Sequence, residues 1–166
     1  MFSLTNYLLV LISFLGLPLG VILYHLTKEE YKLGKKYFKL IKTATLSIIL
    51  IYLLTILLTT LIDTISVIFG ILLTILGYYL TKKFKILELP SLSLMLALNI
   101  DKVLFPSLIF IYNLAKGTLE NNKKLIIPFF LFIIPFLIIS LIEKDLNPYI
   151  IYYSIGSLVS LIKDNI

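Results

Sequence analysis

The chain has 166 residues, 60% of them hydrophobic and only 14% charged, with a formal net charge of +6. A soluble domain of this size carries roughly a quarter of its residues as charges, so this composition excludes an ordinary soluble fold and points to a bilayer as the solvent. Cysteine and arginine are both absent, which excludes a disulfide framework, a thiolate metal centre, a cysteine nucleophile and bidentate arginine grips on phosphate.

Residues 2–26 form the first apolar run. It lacks a basic leader and a small-residue cleavage site and exceeds a signal core in length, so it is expected to be a membrane helix. Within it, Gly16-Leu-Pro-Leu-Gly20 combines small-residue spacing with a helix-breaking proline. Gly16, Pro18 and Gly20 are therefore hinge or packing-kink candidates. His25 is the sole histidine and makes no metal site alone; no catalytic residue, metal or cofactor is expected.

Residues 27–43 follow as a basic linker carrying Lys28, Lys32, Lys35, Lys36, Lys39 and Lys42. Thr27 and Glu30 have the spacing of a capping box. Tyr31, Tyr37, Phe38 and Ile41 predict a short cytoplasmic helix lying on the membrane surface, with Lys28 to Lys42 reaching anionic lipid headgroups. Because lysines throughout the chain separate apolar runs, they are read as topology determinants and not as a nucleic-acid surface.

Residues 44–62 and 64–80 predict two further spans joined by a tight turn at Asp63. On the first, Thr45, Tyr52, Thr55, Thr59 and Asp63 share one side, a ladder that either hydrates a path or bonds neighbouring backbone. On the second, Ser66, Gly70, Thr74 and Gly77 form a small-residue packing face, and a second copy of the chain is a candidate to dock there.

Residues 89–115 hold Asn99, Asp101, Lys102, Pro106 and Asn113 within an apolar run. Ionisable side chains in a membrane segment mark functional candidates, so Asn99, Asp101, Lys102 and Asn113 join Tyr52, Thr55, Thr59 and Asp63 as permeation candidates, with Pro106 as a hinge. A re-entrant hairpin here keeps nearly all loop lysines on one side, as the charge rule favours. Runs at 125–142 and 149–162 complete the chain.

The expected fold is thus all-α: a polytopic integral membrane helical bundle, one transmembrane domain over residues 1–166. It has about five full spans plus a broken or re-entrant helical hairpin, with six full spans as the alternative. The N-terminus is expected outside the cell membrane and the basic loops in the cytoplasm. Three functions are carried forward: transport or permeation of an ion or small solute by an oligomer; a non-catalytic membrane subunit or assembly scaffold bound to a partner membrane protein; and a membrane enzyme acting on lipid.

Overall fold

The computed structural model describes residues 4–59, 64–98, 103–120, 125–141 and 147–165. Among these, seven α-helices and one 3-10 turn account for nearly the whole chain, with no strand: α1 Leu4–Leu26, α2 Tyr31–Thr59, α3 Thr64–Lys83, the turn Lys85–Leu87, α4 Glu88–Ala97, α5 Leu104–Glu120, α6 Ile126–Leu141 and α7 Asn147–Asn165. Two stretches, Thr5–Leu26 and Leu33–Leu58, are long and apolar enough to cross a membrane; the pair Val67–Lys83 and Lys85–Ala97, bent by 119°, makes a third when taken as one span.

The basic linker is not a separate element. It forms the opening turns of α2, which starts at Tyr31 and not at Ala44. The cause is that lysine, leucine and alanine are all good helix formers, so a change of polarity at Thr43 leaves the backbone preference unchanged. At 29 residues α2 is about 44 Å long, and its first turns project beyond any 30 Å hydrocarbon layer. Thr27 closes α1, its hydroxyl donating to Leu23 O at 2.9 Å.

Two helix pairs run parallel. In the first, Ser13 lies against Pro106, Gly16 against Phe110, Gly20 against Leu114, and Thr118 Oγ1 donates to Gly20 O at 3.2 Å. Partner numbers rise together, so α1 and α5 point the same way. In the second, Gly70 meets Tyr152, Gly77 meets Tyr153 and Thr81 donates to Ser157 Oγ at 3.0 Å, so α3 and α7 are also parallel.

The short helix α4 is wedged between these layers. Its start is specified locally: Glu88 sits in the first turn, where an acid favours the helix dipole, and Pro90 is tolerated there because its missing N–H needs no partner. Nine of its ten residues are buried. Leu92 and Met95 join Leu46 and Ile49 of α2, Ile109 of α5, Phe132 of α6 and Leu158 of α7 in a single apolar core.

The exterior is as apolar as the core, and charges are buried within it. Leu8, Leu15 and Leu19 of α1, Phe69 and Leu72 of α3, and Phe130, Ile134 and Ile138 of α6 are exposed, whereas Lys42, Glu88, Lys116 and a set of serines are buried. Water would penalise both halves of that arrangement.

Candidate functional site

The buried charges meet at one point. Glu88 begins α4, Lys42 lies on α2, and Lys116 and Glu120 occupy the last turns of α5. Lys116 Nζ donates to Glu88 Oε2 at 2.6 Å and to Glu120 Oε1 at 2.7 Å. Lys42 Nζ stands 3.4 Å from Glu88 Oε1 and 5.4 Å from the centre of the Tyr112 ring. Glu88 is only 5% exposed, Lys116 6% and Lys42 7%, whereas Glu120 opens to the surface. Taking ions out of water costs several kcal/mol each, and mutual pairing offsets that cost. Pairing here is incomplete: Lys42 approaches without hydrogen-bond geometry, so Glu88 Oε1 accepts no hydrogen bond among the described residues, and the buried Tyr112 hydroxyl also has no partner among them.

Beside this network is a cavity of about 450 Å³, walled by Leu17 and Val21 of α1, Leu89 of α4, Gly117 of α5, and Pro128 and Leu131 of α6, with Lys85, Glu88, Lys116 and Glu120 as its polar part. Aromatic contacts define its inner limit. Phe14 meets Phe129 at 5.2 Å and Phe132 at 5.7 Å, and Tyr7 meets Phe136 at 5.6 Å, so α1 and α6 touch along those turns and part at the cavity. At the network end Tyr31 donates to Leu119 O at 3.3 Å, tying α2 to α5. Burial first, and then the neighbouring Tyr24, push its phenol above the ordinary tyrosine value, so it stays a neutral donor.

No protein-family model, curated protein or solved structure matches this chain.

Several residues singled out in the sequence have other places. Asn99, Asp101, Lys102 and Asp63 lie outside the described residues. Asn113 is fully buried, and its amide donates to Ser13 O at 2.9 Å, which makes it an α1–α5 link away from the cavity lining. Along α2, Thr45 donates to Ile41 O at 2.8 Å and Thr55 to Tyr52 O at 2.7 Å. Thr55 is exposed, so both threonines bond their own helix, while Tyr52 packs edge-on against Phe105 of α5 at 5.2 Å. Thr59 closes α2 and Ser66 lies in the first turn of α3.

Gly70, Thr74 and Gly77 do face a neighbour, and it is α7 of the same chain. That face is filled within one subunit, so it is not free to take a second copy. Of the hinge candidates, Gly16, Gly20 and Pro106 lie along the α1–α5 seam. Helix α1 continues through Pro18, with Gly16 and Gly20 seated on the α5 backbone. Pro106 stands in the first turn of α5, where it interrupts no helical bond, and its carbonyl accepts from Ser13 Oγ at 3.1 Å.

The sequence reading missed Glu88 and Glu120 entirely and took Lys42, Lys85 and Lys116 as topology determinants. One local signal was present. Lys116 and Glu120 are spaced to pair on a single helix face, and they flank Gly117, which packs closely against α1.

Proposed function

We propose that this chain is a multi-pass membrane protein of the transport class that takes up an amphiphilic solute. The cavity between α1, α4, α5 and α6 receives the apolar part, and the Glu88–Lys116–Glu120 network holds the polar end. The observation that carries the reading is a buried acid, Glu88, ion-paired by lysines from two other helices at the wall of an otherwise apolar cavity. Ionisable groups placed in this way inside membrane proteins mark solute and ion pathways.

Support for the membrane setting comes from the greasy exterior and the buried charges described above. In this reading α4 and α5 form the re-entrant hairpin. Helix α4 is only about 15 Å long, too short to span, and the Glu88–Lys116 bond brings its beginning to the end of α5. Its burial satisfies the rule that non-spanning backbone at membrane depth must be enclosed by protein. The ends bearing Lys28, Lys82, Lys85 and Lys116 then share the cytoplasmic side, with the N-terminus outside. The small-residue face taken by α7 is closed to a second copy and to a scaffold's partner alike.

The reading is tested on the full chain in phosphatidylcholine vesicles, using fluorescent single-chain lipids with different headgroups and dithionite to report movement between leaflets. Leu131→Trp fills the cavity and should slow transfer at least about tenfold, an effect of about 1.4 kcal/mol on the barrier. Leu137→Trp, at an exposed position on the same helix, should leave the rate unchanged. Equal rates for both variants would remove the cavity from the function.

A further inference from the structure

We infer that the polar end recognised at this cavity is anionic, so that the solute is a single apolar chain ending in a phosphate or carboxylate. The inference rests on the amphiphile reading above and adds the charge of the headgroup.

The charge balance of the site leads there. Lys42 and Lys116 are matched by Glu88 and Glu120, which leaves the four-residue network neutral. Lys85 also lines the cavity, is exposed, and has no ion-pair partner among the described residues. Adding it leaves positive charge in excess at the mouth, which an anionic head would neutralise. A cation would instead compete with Lys42 and Lys116 for Glu88 and with Lys116 for Glu120, and it would approach past Lys82, Lys83 and Lys85 on the adjoining turns. An anion placed between Lys85 and Lys116 displaces nothing: it takes a contact from Lys85 and shares Lys116, whose ammonium has three protons for donation. Charge complementarity of this kind also raises the rate of encounter.

The walls select the rest of the molecule. Leu17, Val21, Leu89 and Leu131 offer no hydrogen-bonding side chain, so an inorganic anion alone would leave most of the 450 Å³ without a complementary surface. Ile22, Ile126 and Ile127 continue the apolar surface outward from the cavity as exposed side chains. A lipid-like chain can therefore enter sideways while its head stays at the lysine-bearing end.

The chain contains no tryptophan, so a single introduced one is a clean reporter. Ile127→Trp at the rim and Leu137→Trp as a lipid-facing control are reconstituted as full chains in phosphatidylcholine vesicles. Each is titrated with dibrominated C18 chains ending in a phosphate monoester, a phosphocholine or an amine. The phosphate monoester should quench Ile127→Trp saturably and beyond the control, with the other two heads adding little. Lys85→Gln in the Ile127→Trp background should weaken that quenching about fivefold, the loss of one favourable lysine contact near a membrane surface.

Equal or stronger excess quenching by the amine or phosphocholine probe would overturn the anionic assignment and leave the amphiphile reading standing. No excess quenching by any probe would overturn both. Release of the phosphate probe by millimolar inorganic phosphate would show that a soluble anion is the ligand, which overturns the lipid source.

Discussion

At Gly20 and at Gly156 the chain uses the same device. A Cβ at Gly20 would collide with the Leu114 carbonyl of α5, and one at Gly156 would collide with the Thr74 carbonyl of α3. Each seam is also stitched by a threonine shared between its own helix and the partner. Thr118 bonds Leu114 O and Gly20 O, and Thr74 bonds Gly70 O and Tyr152 O. The seams differ in what lies nearby. Beyond Gly117 the α1–α5 seam reaches Glu120 and adjoins Lys116, the charge network and the cavity. The α3–α7 seam runs instead into the hydroxyls of Thr81 and Ser157, which Ser91 joins at 3.2 Å. Close backbone approach is thus common to both, and the side chains of the neighbouring turn decide whether a seam is only adhesive or borders a charged cavity.

Substitutions can break that comparison, beginning with the largest effect. Glu88→Ala strands Lys42 as a buried, uncompensated cation and leaves Lys116 only its exposed partner Glu120, and should cost about 3–5 kcal/mol, read by denaturant unfolding in detergent micelles. Glu120→Ala removes only a surface-exposed partner and should cost at most about 1 kcal/mol; equal losses would refute the central place given to Glu88. Next, Gly20→Leu and Gly156→Leu should each overpack their seam by about 1–3 kcal/mol. Only Gly20→Leu should also reduce amphiphile transfer, because only that seam borders the cavity. Smallest are Thr118→Val and Thr74→Val. Each should lose about 0.6 kcal/mol, the usual size of an interhelical hydrogen bond in a membrane protein, while Thr55→Val, whose hydroxyl bonds its own helix, should change nothing measurable.

These differences follow the limits of what the sequence makes visible. The α3 seam was legible because Gly70, Thr74 and Gly77 repeat at three- and four-residue spacing and so share one side of a helix. Helix α2 was misread at its start because polarity changes at Thr43 while helix preference does not. The charge network was illegible for another reason. Glu88 lies 28 positions from Lys116 and belongs to a different helix from either lysine, so no local period links them. In the sequence each lysine falls at the polar edge of an apolar run, where the charge rule already accounts for it. Asn113 showed the reverse: its polarity inside an apolar run was visible, but its role as a tie to Ser13 depended on the fold.

The most direct test of the account uses single cysteines introduced on either side of the α4–α5 hairpin, at Lys85→Cys and Asn121→Cys, in a chain with no native cysteine. A membrane-impermeant thiol reagent is applied to intact cells and to inverted vesicles. Labelling of both positions only in inverted vesicles is the predicted result and places Glu88, Lys116 and the cavity mouth together on the cytoplasmic side. Labelling of the two positions from opposite sides would mean that residues 85–121 cross the membrane, which contradicts the hairpin and the site built on it.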